Sequence, residues 1–456
     1  MRNNLSAKKV GVLVLGFLFT FYLYTPVLGN SNNKKTEKTN HLLETKISGN
    51  VPGASVLVIH QGKVVFKKAY GFANVEENTP NTPQTIFRLG SVSKQFTAMA
   101  IMQLHNKKLL SYNDSVDKFF PELVNGGKIT IRNLLTHTSG ILESADSELE
   151  FIPGSRMNYS NTGYNLLGKI IEKVSGLSYA EFLSENIFKP LLMVNTGFEH
   201  AGQKPEKMAS GYKPGNGNYI ASEVVDVSGA YAAGALYSTT EDMYLWNNAL
   251  DSEKLVEKST LEQAFTPATL NNGSQTKYGF GWMLNLWNGI KEVSHGGDIT
   301  GFNSYICRIP EEHFAVIVLS NFEMNPPGPI PNAGQLAHEI AEIYLSDKIS
   351  NIPAKKSLTL SSAVLKTYEG KYKLEDAPEE IVGIMGDLFS FRTNENRIFI
   401  VGKLGEVELC AETPNKFYLE DKTTIEFNSE NEQVSGFTMD LMGMGVRILV
   451  AKKIKD

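Results

Sequence analysis

The chain of 456 residues contains two cysteines, Cys307 and Cys410, and three tryptophans. Two thiols cannot make the disulfide framework of a small secreted module, nor a metal site built mainly on cysteine. Both lie in apolar, strand-like runs of what look like different domains, and they read as free buried thiols. A charge excess is also missing. With 44 basic and 49 acidic residues the net charge is −5, and no basic stripe of the kind a polyanion requires is present, so nucleic acid is not an expected partner. Internal repeats and long low-complexity tracts are absent.

Long apolar runs are scarce, and the longest is N-terminal. Arg2, Lys8 and Lys9 precede Val10 to Leu23, with Val27 and Gly29 at small-residue cleavage positions. This pattern reads as a secretory signal over residues 1–29. An uncleaved anchor is the alternative, since the stretch to Leu28 approaches the length of a membrane span. Either reading puts the body of the protein outside the cytoplasm, periplasmic or secreted, with membrane contact confined to this segment. No cysteine near the cleavage site supports a lipid anchor. Residues 30–45 are polar, as a flexible tether would be.

What is present is enough apolar sequence, 42% of residues, for more than one core. Ser55 to His60 and Lys63 to Lys67, split by Gln61-Gly62, carry the signature of a hairpin. From Gln95 the period becomes helical, and further helical segments follow at Tyr164 to Val174, Tyr179 to Ile187 and Thr240 to Ala249. "NSYICRIPEEHFAVIVLSNF" returns to strands with a turn at Pro310 to Glu312, and Gln335 to Leu345 reads as a closing helix. Strands at both ends of one long stretch, with helices between, imply an α+β domain over 46–347 whose sheet is assembled from sequence-distant strands. A polar linker over 348–358 precedes short strand candidates over 359–456: Gly370 to Leu374, Ile381 to Ile384, Leu388 to Arg392, Arg397 to Val401, Glu406 to Cys410, Phe417 to Glu420, Thr424 to Phe427, Val434 to Met439 and Val446 to Ala451. Their number points to a small antiparallel barrel or sandwich.

Ser91 and Lys94 form an S-x-x-K pattern, but so do Ser6/Lys9, Ser31/Lys34, Ser115/Lys118, Ser210/Lys213 and Ser274/Lys277. Ser91 differs in following Gly90 where a helix begins, so that Lys94, one turn on, points to the same side. A serine hydroxyl needs a base within reach, and a lysine serves only when burial or neighbouring charge lowers its pKa. Tyr159-Ser160-Asn161 is the single Y-x-N in the chain. A tyrosine beside a cationic lysine loses its proton more easily and can act as the general base toward the serine, later returning a proton to the leaving group, and Asn161 offers an amide to orient Lys94 and the substrate. His295-Gly296-Gly297 ends a strand; its glycines allow close approach of substrate, the N–H of Asp298 can pair with that of Ser91 as an oxyanion hole, and His295 would add a donor facing the pocket.

These motifs in this order, with "LLTHTSG", "GALYSTTEDM" and "YGFGWM" between them, resemble the serine β-lactamase-like family, which includes class C β-lactamases, penicillin-binding D-alanyl-D-alanine carboxypeptidases, D-aminopeptidases and esterases. The resemblance spans about Pro52 to Leu345. It implies an antiparallel sheet flanked by helices with an all-helical region, acylation of Ser91, proton transfer by Lys94 and Tyr159, and a pocket lined by Asn161, His295, Gly297 and Asp298, with no metal and no cofactor. His137 of "LLTHTSG" is read as structural. His295 stands where class C β-lactamases carry lysine, which implies a weaker, pH-dependent positive charge toward a substrate carboxylate and poor hydrolysis of β-lactams. "YEGKYKL" at Tyr368 to Leu374 resembles lipocalin-like β-barrel modules appended to some members. The function implied is a serine hydrolase acting on small peptides with D-amino-acid character, as a carboxypeptidase or aminopeptidase; a carboxylesterase, a weak β-lactamase and a non-catalytic penicillin-binding sensor are the alternatives.

Overall fold

The computed structural model describes residues 28–142, 148–200, 204–215, 217–324, 330–349, 357–375, 382–383, 385–403, 405–419, 423–430, 433–440 and 448–454. The first described element is a helix, α1 (Leu28–Lys46), where the sequence read a polar tether over 30–45. The reason is local. Leu43 is fully buried and Ile47 nearly so, in the apolar layer behind the main sheet, and Lys35 Nζ donates to the Tyr344 carbonyl at 2.7 Å. A few apolar side chains on one face dock an otherwise hydrophilic helix. The expected signal lies outside the described residues apart from Leu28 and Gly29, which begin α1.

Ala54–His60 (β1) and Lys63–Tyr70 (β2) form the expected hairpin. Gln61 and Gly62 turn it at φ 53° and 71°, the doubly positive pair that matches the twist of the flanking strands. The helical region follows, with Lys94–Asn106 (α2), Ile131–Leu135 (α3), Asn161–Ser175 (α4) and Thr240–Ala249 (α5). The helix expected over Tyr179 to Ile187 is α-helical only to Leu183 and widens to a π turn over Ser184–Phe188. Met283–Trp287 (β3), Ile290–Ile299 (β4), Phe302–Ile309 (β5) and Phe314–Ser320 (β6) complete the sheet, and Ala333–Ile349 (α6) closes the domain.

The sheet is antiparallel with strand order β3-β4-β5-β6-β1-β2, so the first strand pairs with the last, Val56 opposite Val318. Alternate side chains of β1 reach opposite layers. Val56 and Val58 pack with Leu336 and Ile340 of α6, while Leu57 and Ile59 join Phe96 of α2 and Trp246 of α5.

The C-terminal strands Gly370–Glu375 (β7), Leu388–Asn394 (β8), Arg397–Gly402 (β9), Gly405–Ala411 (β10), Lys416–Tyr418 (β11), Thr424–Glu430 (β12), Gln433–Asp440 (β13) and Ile448–Lys453 (β14) form a closed barrel. β7 pairs with β14, Tyr372 opposite Lys453, which removes the free edges of an open sheet. Aromatic side chains fill the interior: the Phe391 ring centre is 4.9 Å from that of Phe427 and 5.3 Å from that of Phe437. Of the expected strand Ile381 to Ile384, the described residues Val382 and Gly383 are helical. The start of the expected linker belongs to α6, which runs to Ile349, and residues 350–356 lie outside the described set. Lys277 Nζ bonds Asp440 Oδ2 at 2.9 Å, joining the barrel to the larger domain. Neither cysteine is in a disulfide; Cys307 is buried and Cys410 only half-buried.

Candidate active site

Two glycines bring the chain around Ser91 against the sheet. Gly90 has φ 52°, and a Cβ there would lie 2.9 Å from Asp298 N; a Cβ on Gly297 would lie 1.9 Å from the Leu89 carbonyl oxygen. Neither position tolerates a side chain, so glycine at both lets the turn Gly90–Ser93 press on β4. β3 pairs with β4 only over Ile290 to Ser294, and the part of β4 beyond it, His295 to Ile299, runs alongside Ser91.

α2 begins at Lys94, after a short 3₁₀ turn, rather than at Ser91. Neither helical start uses the Ser91 hydroxyl as a cap, which removes the ordinary structural explanation for that serine. Instead Lys94 Nζ donates to Ser91 Oγ at 3.0 Å, Asn161 Oδ1 at 2.8 Å and the Ala233 carbonyl at 2.9 Å. Lys94 is fully buried while Ser91 is half-buried. Asn161 reaches it because Ser160 caps α4, its Oγ accepting from Gly163 N at 3.0 Å. The Ala233 carbonyl was not legible in the sequence, since any residue type supplies one.

Tyr159 is brought to the same place. Lys94 Nζ lies 4.7 Å from the centre of its ring. Its hydroxyl faces Ser91 but closes no well-directed hydrogen bond with any described residue. Burial raises its pKa, against a smaller lowering by Ser91, so the phenol keeps its proton. The expectation that the adjacent lysine would ionise it is corrected: desolvation outweighs the charge.

His137 holds that tyrosine. It sits at φ 59°, its Nδ1 accepts from Ser160 N at 3.0 Å, its carbonyl accepts from Asn158 N at 2.8 Å, and its ring centre is 4.2 Å from that of Tyr159. The residues on either side of Tyr159 are thus pinned by one histidine. Desolvation, then Lys94 and His295, push its pKa well below the ordinary value, and its Nε2 has no partner among the described residues.

His295 departs from the sequence reading. It is 1% exposed, with Nδ1–H donating to the Gly296 carbonyl at 2.6 Å and Nε2 accepting from the Tyr278 hydroxyl at 2.9 Å. Desolvation and Lys94 lower its pKa to about 3. It is therefore a neutral, fully engaged ring rather than a titrating cation or a free donor. Tyr278, which the sequence did not single out, is the residue that occupies it. Asp298 follows on the same strand with its side chain exposed and Oδ1 accepting from Met324 N at 3.3 Å. Partial desolvation, opposed by that N–H and reinforced by Glu323, pushes its pKa up to about 6; its solvent access tempers the shift.

Behind the sheet, Glu292, Cys307 and His338 place potential ligand atoms within 4.8 Å of one another. His338 Nε2 already meets both Glu292 oxygens, at 3.1 and 3.2 Å, and the Tyr305 hydroxyl donates to Glu292 at 2.9 Å. These hydrogen bonds account for the placement of Glu292 and His338.

A family model described as Beta-lactamase matches residues 36–339. "Penicillin-binding protein 4*" of Bacillus subtilis is 30% identical over 453 residues, covering 89% of this chain and 97% of its own length. Among solved structures, the octameric penicillin-binding protein homologue from Pyrococcus abyssi aligns with TM-score 0.61 and 26% identity over 91% of this chain and 99% of its own. The D-stereospecific amidohydrolase from a Streptomyces species aligns with TM-score 0.57 and 26% identity, covering 67% of this chain and 97% of its own.

Proposed function

The chain belongs to the beta-lactamase family, and from that premise we propose that it is a serine hydrolase that forms an acyl-enzyme on Ser91 and acts on amides of D-amino acids. One observation carries the reading: a fully buried Lys94 whose nitrogen stands 3.0 Å from Ser91 Oγ while Asn161 and Ala233 present two further oxygens to it.

Full burial takes from an ammonium the water that favours its charge. As an uncharged amine, Lys94 would give its two hydrogens to Asn161 Oδ1 and the Ala233 carbonyl and turn its lone pair to the Ser91 O–H. Ser91 Oγ then attacks the carbonyl carbon as its proton passes to Lys94, and the carbonyl oxygen gains negative charge beside the N–H groups of Ser91 and Asp298. Tyr159, neutral in the resting site, gives its proton to the departing nitrogen and recovers one from the Lys94 ammonium. The C–N bond breaks, leaving Ser91 esterified, and water enters by the reverse sequence to release the acid. Gly297 supplies the close approach that this geometry needs. His295 orders the wall of the site as a neutral ring held by Tyr278.

The D-amino-acid assignment draws support from the likeness to the Streptomyces D-stereospecific amidohydrolase and to penicillin-binding proteins. The same machinery attacks esters. The test is intact mass and peptide mapping after exposure to a fluorophosphonate and to a labelled penicillin, with turnover of D-alanyl amides, L-alanyl amides and p-nitrophenyl esters. Adducts on Ser91, lost in Ser91→Ala, are expected, with D-amides preferred over L-amides. Full activity in Ser91→Ala would refute the assignment of the nucleophile. Export of the mature protein, supported by Arg2, Lys8, Lys9 and the apolar run that follows them, is part of the same reading.

A further inference from the structure

We propose that Glu292, Cys307 and His338 form a zinc site on the far side of the main sheet from Ser91, and that the ion fastens the closing helix α6 to strands β4 and β5. The inference is independent of the acyl-enzyme reading, and the ion takes no part in the chemistry at Ser91.

Strand register brings the ligands together. Ser294 of β4 pairs with Cys307 of β5, and paired residues share a face of the sheet, as do residues two apart along one strand. Glu292, Ser294, Tyr305 and Cys307 therefore point into the layer that α6 covers, the layer to which Cys307, Trp287, Ala337 and Ala341 all belong. His295 and Gly297, alternating with them along β4, take the opposite face. From α6 comes His338, whose ring is stacked on Trp287 with 5.5 Å between centres and 9° between planes.

The donors are those a zinc ion takes. A thiol sulfur, an imidazole nitrogen and a carboxylate suit zinc, whereas calcium and magnesium call for oxygen ligands. Two nitrogen or oxygen donors bound to one tetrahedral zinc stand about 3.3 Å apart. His338 Nε2 lies 3.1 and 3.2 Å from the two Glu292 oxygens, so this pair is already spaced for an ion. The three ligand atoms lie within 4.8 Å of one another, and a bound sulfur would stand about 3.6 Å from the nitrogen. Closing that gap takes a shift of little more than about 1 Å. The His338 side chain, still 27% exposed, has the freedom to make it, and the same opening admits the ion from solvent.

Outer contacts are also in place. The Tyr305 hydroxyl lies 2.9 Å from Glu292 Oε1 and 3.1 Å from Ser294 Oγ, and it steadies the carboxylate as outer-shell partners steady a metal ligand. Glu292 is 3% exposed, and a carboxylate so deeply buried needs a positive partner. In the metal-free chain a proton on His338 Nε2 meets that need. Zinc takes the place of this proton, and the Cys307 thiol releases its own on binding.

The test uses the full-length protein, stripped with EDTA, dialysed, and titrated with zinc chloride and with cobalt chloride as a spectroscopic stand-in. Cobalt is expected to bind in equimolar amount, giving a near-ultraviolet thiolate-to-metal charge-transfer band that equimolar zinc bleaches. At a roughly hundredfold excess over its Kd, zinc should raise the thermal midpoint by about 5 °C, an effect that magnesium and calcium should not reproduce. Cys307→Ser should abolish the band and His338→Gln should weaken zinc binding at least about tenfold, whereas Cys410→Ser, which removes the other thiol, should retain both. Cobalt bound without the thiolate band, a band lost in Cys410→Ser but kept in Cys307→Ser, or a midpoint that zinc leaves unmoved would overturn the proposal. The spectrum and the melt are read on the unaltered protein and decide the matter even where a variant fails to fold.

Discussion

The Lys94 nitrogen stands 4.7 Å from the centre of the Tyr159 ring, over its face, while the Tyr159 hydroxyl closes no hydrogen bond among the described residues. Burial disfavours the phenolate, and an uncharged Lys94 amine beside the ring offers it no counter-charge. Tyr159 therefore waits as an acid, and its oxygen contributes little to holding the fold together.

Tyr159→Phe separates those two roles. Removing a buried, unpaired hydroxyl should leave stability unchanged or raise it by up to about 1 kcal/mol, while turnover falls roughly 10²- to 10⁴-fold. Urea unfolding alongside p-nitroanilide kinetics checks both, and a clear loss of stability would show that the hydroxyl is bonded after all.

Lys94→Met acts differently. It strands Asn161 Oδ1 and the Ala233 carbonyl, now bonded at 2.8 and 2.9 Å, at a cost of about 1–3 kcal/mol for each group left unpaired. Both the thermal midpoint and Ser91 labelling by fluorophosphonate should drop, in contrast to Tyr159→Phe.

Two buried neutral histidines make the domain acid-sensitive. The pKa of His295 falls to about 3 in the folded chain and that of His137 well below its ordinary value, so the unfolded chain binds more protons below about pH 6.5. Stability is then complete above that pH and is lost as pH falls, by about 1.4 kcal/mol per pH unit for each histidine. His295→Asn should shallow the slope between pH 6.5 and 5.5, measured by urea midpoints; an unchanged slope would mean that His295 is protonated in the folded protein.

Replacing His295 by lysine, the residue of class C β-lactamases, is expected to fail as a route to penicillin acylation. The ring is 1% exposed, so an ammonium buried there without a partner should cost roughly 3–5 kcal/mol. Thermal melts and labelled-penicillin uptake of His295→Lys check this, and uptake gained at unchanged stability would contradict it.

Much of the architecture was legible because it follows from periodicity. The Gln61-Gly62 hairpin, α5 over Thr240–Ala249 and most barrel strands fall where the pattern put them. α1 escaped because its docking depends on Leu43 and Ile47 meeting a layer built from distant sequence, and Val382-Gly383 because a short apolar run reads equally as strand or helix. At the site, Ser91, Lys94, Tyr159 and Asn161 could be named from motif order. His137 and Tyr278 lie in the motifs "LLTHTSG" and "YGFGWM", and His137 was legible as structural, but the contacts that Tyr278 and the Ala233 carbonyl make are spatial and carry no local pattern. The charge of His295 was misjudged for the same reason, since burial set it rather than residue type.

The pairing of β1 with β6, Val56 opposite Val318, also governs when this protein can become itself. β1, one strand in from the edge, pairs at once with β2 but finds its second neighbour only after nearly the whole first domain has been synthesised, and contacts so distant in sequence close slowly because the intervening loop must first be ordered. Until then the face of β1 that carries Val56 and Val58 lacks the closing helix α6 that covers it. The nascent chain thus has a long interval as an open, chaperone-accessible polymer before its catalytic groups meet.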